Sequence, residues 1–124
     1  METGDAMGRL TTHVLDTATG RPAAGVRIDF WLIDVDNHRY LLKTVETNAD
    51  GRTDAPLLQG DRFVAGKYEL VFFVGDYFSR VGVASADPPF LGEVPLRFGI
   101  ADAGSHYHVP LLASPWSYST YRGS

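Results

Sequence analysis

Between Val26 and Leu32 an apolar side chain falls on every second residue: Val26, Ile28, Phe30 and Leu32. A period of two puts all four on one face of a pleated strand, whereas a helix, with its repeat of 3.6, would scatter them. The same pattern recurs in short pieces along the chain. Arg9 to Leu15 reads as a strand with Leu10, Thr12 and Val14 on one face and Thr11, His13 and Leu15 on the other. Arg39 to Thr47 is a further strand, closed by Asn48-Ala49-Asp50-Gly51, whose Asp-Gly pair suits a tight turn needing positive φ. Lys67 to Val74 is rich in β-formers, and Val94 to Ile100, His106 to Leu112 and Ser117 to Tyr121 complete the set. Only Gly75 to Val81, with Asp76 near its start, suits one short helix. Many short strands parted by Gly, Pro, Asn and Asp turns predict an all-β, two-sheet sandwich.

A chain of 124 residues makes one domain that buries roughly two-thirds of the surface its unfolded form would expose. The expected division is a short flexible segment over residues 1–8 and a folded domain over 9–124, with Met7 as an alternative start. Without cysteine there are no disulfides, thiol nucleophiles or cysteine metal sites. The N-terminal residues are polar and acidic and lack a secretory pattern, and no apolar stretch is long enough to span a bilayer, so a soluble cytoplasmic protein is expected. A net charge of -4 with scattered basic residues excludes a nucleic-acid partner, which would need a concentrated positive patch. Pro110 interrupts the strand of His106 to Leu112 and belongs on an edge or at a bulge. An exposed edge beside Val109 and Leu111 would invite another subunit.

The chemistry-bearing side chains gather at the end of the chain. His106, His108, Tyr118, Tyr121, Arg122 and the Ser124 carboxylate all fall in the last nineteen residues, and a terminus of this kind is expected to be held by the structure. His13 and His108 are the sharpest candidates for proton transfer, against the plainer reading of hydrogen-bonded strand histidines. His106 alternates with His108 and shares its face, and the pleat lets only one of the two reach a deep site. His38, in a polar turn, is expected to be solvated. Arg52 is either a surface ion-pair partner of Asp50 or Asp54 or a planar donor fork for an anion or carbonyl. No nucleophile-elbow pattern surrounds Ser114, Ser119 or Ser124. The four histidines lack metal-ligand spacing, so no metal is expected, although His13, His106 and His108 can converge in the fold.

Four separated motifs resemble the transthyretin-related family in its 5-hydroxyisourate hydrolase branch. They are Thr12-His13-Val14-Leu15-Asp16 with Gly20-Arg21-Pro22-Ala23, then Asp50-Gly51-Arg52-Thr53, then His106-Tyr107-His108-Val109-Pro110-Leu111-Leu112 running to Ser114-Pro115, and the closing Tyr121-Arg122-Gly123-Ser124. The resemblance spans Leu10 to Ser124 and departs only in detail, with Ala113 in place of a common leucine and Trp116 at a variable aromatic position. It implies a sandwich with one short helix, a homotetramer with active sites in a channel between dimers, and no cofactor. It also implies His13, Arg52 and His108 as catalytic residues, with His13, Arg52, Tyr121, Arg122 and Ser124 binding the substrate and Tyr121 closing over it. The implied reaction is hydrolysis of the cyclic amide of 5-hydroxyisourate to 2-oxo-4-hydroxy-4-carboxy-5-ureidoimidazoline, in urate breakdown. The alternative is a small-molecule carrier without turnover. The carrier branch shares the Ser-Pro-x-x-Tyr-Ser-Thr run of Ser114 to Thr120 but lacks the histidines and the closing tetrapeptide, and this difference favours the enzyme.

Overall fold

The structure, a computed structural model, describes residues 8–83 and 86–123. The expectations for residues 1–7, including the alternative start, and for Ser124 lie outside those residues. Gly8, the last residue of the segment expected to be flexible, is buried and donates its N–H to the Ala103 carbonyl at 2.9 Å.

Among the described residues eleven strands, one α-helix and a 3-10 turn at Gly60–Arg62 follow one another: β1 (Arg9–Thr11), β2 (Val14–Asp16), β3 (Arg21–Pro22), β4 (Arg27–Ile33), β5 (Arg39–Glu46), β6 (Leu58–Gln59), β7 (Gly66–Phe72), α1 (Val74–Arg80), β8 (Val94–Ile100), β9 (His106–His108), β10 (Leu111–Ala113) and β11 (Tyr118–Thr120). The all-β sandwich with one short helix is therefore as expected. One sheet runs β5-β4-β7-β8, all antiparallel. The other layer consists of two ladders, β6-β1-β9 and β11-β10-β2-β3. They continue into each other because the Val109 N–H reaches the Thr11 carbonyl and the Leu111 N–H reaches the His13 carbonyl, both at 2.9 Å.

The alternation read from the sequence sets the faces. Leu10, Thr12 and Val14 are buried, while Thr11, His13 and Leu15 are half-exposed on the outer side. Leu10, Val14 and Leu111 of one layer pack with Ile28, Phe30, Leu70 and Phe72 of the other, and each such side chain contributes about 1.5–3 kcal/mol on leaving water. Phe30 and Tyr68 stack with centroids 5.5 Å apart, and the Tyr68 hydroxyl donates to the Val64 carbonyl at 2.8 Å. The helix is fastened to the other layer by one buried polar contact: the Tyr77 hydroxyl donates to Asp16 Oδ2 at 2.8 Å. Asp16 Oδ1 accepts the Ala18 and Thr19 N–H groups of the following turn.

Pro110 departs from expectation. It interrupts the ladder between β9 and β10, but it is buried, and its neighbours Val109 and Leu111 are core residues at 6% and 0% exposure. The proline therefore marks the joint between two ladders within the sandwich. It is not an open edge, and the case for a partner subunit cannot rest on it.

The Asn48–Gly51 turn is what brings Arg52 to the layer that holds β1 and β2. Gly51 has φ of 76°, its carbonyl accepts the Val14 N–H at 2.8 Å, and a Cβ there would overlap the Val14 carbonyl oxygen. Gly51→Ala meets both strain and collision, so it is expected to lower stability by about 2 kcal/mol or more. Gly20 has φ of 75° with nothing within 4 Å of an added Cβ, so Gly20→Ala carries the strain alone. Thermal melts of the two variants should show the larger loss at Gly51.

Candidate active site

The parallel pairing of β1 with β9 sets Arg9 opposite His106 and Thr11 opposite His108. With the inner face occupied by Leu10 and Tyr107, the side chains of Arg9, Thr11, His106 and His108 share the outer face of the layer. His13 stands at the joint between β1 and β2, where it makes an antiparallel bridge with Arg52. The fold thus collects His13, Arg52, His106 and His108, separated by up to ninety-five residues in the chain, onto one patch. An adjoining cleft of about 260 Å³ is lined by Arg9, Thr11, Arg52, Asp54, Pro56 and His106 among others.

Each imidazole has a definite partner. His13 Nε2 lies 2.9 Å from the Asp50 carbonyl oxygen. A carbonyl only accepts, so this nitrogen carries the proton and Nδ1 is the basic position of the neutral ring. The Thr11 hydroxyl lies 2.9 Å from both His106 Nε2 and His108 Nδ1. His106 and His108 therefore meet at one hydroxyl, with ring centroids 6.4 Å apart, so both rings reach the same patch.

All three rings are held below the usual imidazole range. Burial is the main cause in each case. The Arg52 charge adds to it at His13 and His108, against an opposing pull on His13 from Asp50. Arg9 and Arg122 add to it at His106. At neutral pH the rings are uncharged and can accept protons. Arg52 itself is exposed, and among the described residues it forms no ion pair with Asp50 or Asp54, the alternative raised by its sequence context. The Asp54 carboxylate instead accepts from the Asn48 side-chain amide at 3.0 Å. With no carboxylate partner among the described residues, this guanidinium can present its planar fork of donors to a substrate oxygen.

The closing residues are pinned through their backbone. Gly123 and His108 exchange N–H···O bonds of 2.7 and 3.2 Å, and a Cβ on Gly123 would stand 3.1 Å from His108 Cβ and Cδ2. The Arg122 guanidinium lies over the Tyr107 ring at 4.2 Å. Tyr121 is 60% exposed. Tyr121 and Arg122 line a neighbouring groove of about 590 Å³ between β8 and β11 and make no hydrogen bond to the imidazoles. Within one chain Tyr121 therefore does not close over the histidines. His38 is exposed in its turn, as expected. Asp34, Asp36 and His38 form the one grouping of three ligand-type side chains within 4.8 Å among the described residues, and the Asp34 carboxylate there accepts the turn's own N–H groups.

Three participants were not singled out from the sequence: Thr11, Gly123 and the Asp50 carbonyl. Alternation already placed Thr11 on the face of His13. What it lacked was the register against His108, which depends on pairing between chain ends.

The sandwich and its uncharged imidazoles beside a guanidinium define a β-sandwich protein equipped for acid–base chemistry on a small polar molecule. The chain belongs to the HIUase/Transthyretin family, whose model matches residues 10–123. It is 65% identical to 5-hydroxyisourate hydrolase 2 of Rhizobium meliloti (strain 1021) over 94% of this chain and 97% of that one. The crystal structure of (S)-allantoin synthase superimposes with a TM-score of 0.90 at 48% identity, covering 100% of this chain. This chain spans just under half, 46%, of that protein. Sea bream transthyretin, solved in complex with thyroxine, superimposes with a TM-score of 0.82 at 28% identity over 93% of this chain and 94% of that one.

The electrostatics lead to a titration prediction. In an NMR titration, His13, His106 and His108 should protonate with midpoints below about 6.5, the unperturbed imidazole value. The sign follows from burial and nearby cations, both of which disfavour the charged ring. Midpoints above that value would contradict the environment described.

Proposed function

We infer that this chain is a hydrolase that opens the ring of 5-hydroxyisourate by cleaving a cyclic amide bond, giving 2-oxo-4-hydroxy-4-carboxy-5-ureidoimidazoline. The observation that carries the reading is the convergence of uncharged His13 and His108 with Arg52 on one face, in a chain 65% identical to a protein named for that activity. The fold alone would serve a carrier equally well, since sea bream transthyretin shares it. A carrier has no use for two proton acceptors beside a cation.

In the proposed reaction an imidazole takes a proton from water as its oxygen attacks the amide carbonyl. Arg52 stabilises the oxygen that gains charge. The imidazolium then returns its proton to the departing ring nitrogen, and no cofactor is needed. His13 and His108 act as a proton-handling pair. Tyr121, Arg122 and Ser124 belong to the substrate-binding part of the proposal. Because Tyr121 stands outside the patch within one chain, the site is complete only when a second subunit adjoins it, as in the homotetramer we propose for this protein in the cytoplasm. Open edges support that assembly: β8 and β11 each end their ladders, every residue of β11 is exposed, and the groove between them is lined by Leu96, Phe98 and Tyr118.

The activity is tested by generating 5-hydroxyisourate from urate with urate oxidase and following its ultraviolet decay with and without the protein. Acceleration is expected, and binding without acceleration would favour the carrier. His108→Ala and Arg52→Ala should each remain folded and lose at least about two orders of magnitude in rate. Near wild-type turnover would remove the residue concerned from the mechanism. Light scattering at micromolar concentration should give a tetramer, and a fully active monomer would refute the shared site.

A further inference from the structure

The bond pattern around Thr11 restricts how protons can be distributed over two of the imidazoles. A hydroxyl has one hydrogen to give. Thr11 Oγ1 is 2.9 Å from His106 Nε2 and 2.9 Å from His108 Nδ1, so when it donates to one ring it must accept from the other. Two arrangements of the neutral rings satisfy both contacts. In the first, His108 Nδ1–H donates to Thr11 and Thr11 donates to His106 Nε2, which leaves His108 Nε2 with an open lone pair. In the second, both bonds are reversed, and His108 Nε2 carries a hydrogen and cannot accept a proton.

Burial and the surrounding charges distinguish the two. Each arrangement leaves one ring N–H without a partner among the described residues, on His106 Nδ1 in the first and on His108 Nε2 in the second, and it is less costly on His106, the less buried ring. Arg52 is the strongest charge acting on His108, with His106 and His13 behind it, and all three oppose a second proton on that ring. Around His106 the charges are Arg9 on the paired strand and Arg122 near the chain end, and Asp54 lines the same cleft. Both arginines oppose protonation of His106. That matters because a protonated His106 would have to donate from Nε2 to Thr11, turning the hydroxyl toward His108 Nδ1 and imposing the second arrangement.

We propose that Thr11 is a positioning residue whose hydroxyl, shared between His106 Nε2 and His108 Nδ1, holds His108 in the tautomer with Nε2 free to accept a proton. His106 is the anchor at the other end of this bridge. When His108 Nε2 takes a proton from water, Nδ1 keeps its own hydrogen and its bond to Thr11 strengthens, because the donor is now charged. Nothing on the bridge has to rotate during the step. The link to turnover rests on the hydrolase reading above, whereas the tautomer itself does not.

The test uses the full chain labelled with ¹⁵N-histidine, with long-range ¹H–¹⁵N correlations recorded near pH 8. The expected result is His108 protonated at Nδ1 and bare at Nε2, with His106 bare at Nε2. His108 protonated at Nε2 would overturn the proposal. Thr11→Val keeps shape and β-propensity while removing the hydroxyl. It should move His108 to a mixture of tautomers and lower kcat about five- to tenfold, the scale of one hydrogen bond, with KM changed less than twofold. Thr11→Ser should restore the wild-type nitrogen shifts and most of the lost kcat. An unchanged His108 tautomer in Thr11→Val would also overturn the proposal, whatever happened to the rate. If the wild-type protein fails to hydrolyse 5-hydroxyisourate, the functional reading falls, and the nitrogen shifts still decide the tautomer.

Discussion

The site depends on the parallel pairing of the two ends of the chain. The N–H groups of Val109 and Leu111 reach the carbonyls of Thr11 and His13, carrying the ladder across the joint between β1 and β2 on one side and β9 and β10 on the other. Closing a loop of nearly a hundred residues has an entropic cost, which grows only slowly with length. The inward side chains of the same strands offset it: Leu10, Val14 and Leu111 are fully or almost fully buried. The outward side chains of these strands include the imidazoles, with His13 next to Val14 and with His106 and His108 on either side of the buried Tyr107. Core and site are therefore two faces of one ladder, and a disturbance of the register would move both.

Much of this was legible in the sequence, because alternation reports which face a residue occupies without reference to its partner. The faces of Arg9 to Leu15, the strand of Val94 to Ile100, the helix after Phe73 and the turn before Arg52 all follow from local chemistry. What local chemistry could not supply was lateral order. Pro110 read as an edge because a proline lacks the ladder N–H, yet here it fills the joint between two ladders and is covered by the core. Thr11 read as an ordinary strand residue, since nothing nearby shows that it will stand beside two histidines ninety-five and ninety-seven positions away. Gly123 read as part of a motif, and its reason, the lack of room against His108, exists only once the strands are paired.

Electrostatically the site runs against the protein as a whole. The chain has a net charge of -4, yet the charges of Arg9, Arg52 and Arg122 bear on three imidazoles and oppose their protonation. Histidine next to arginine resists becoming a cation, so these charges keep the rings in their basic form, and in the proposed reaction they also draw an electron-rich substrate oxygen. In that proposal one arrangement of charge serves both binding and proton transfer.

The contact between Tyr77 and Asp16 has a consequence of a different kind. Burial pushes the Asp16 carboxyl up, but the hydrogen bonds from Tyr77, Thr19 and Ala18 outweigh it and hold the group below the ordinary carboxylate range. The Tyr77 hydroxyl is pushed up to about 12 by burial and by the same carboxylate, so it stays a donor at any physiological pH. A carboxyl with a depressed folded-state value stabilises the fold above its unfolded value, about 3.9, and loses that contribution as pH falls through the folded one. Helix α1 is thus fastened to the sheet by an acid-labile clasp, and strong acid would release this corner of the sandwich by chemistry unrelated to the imidazoles.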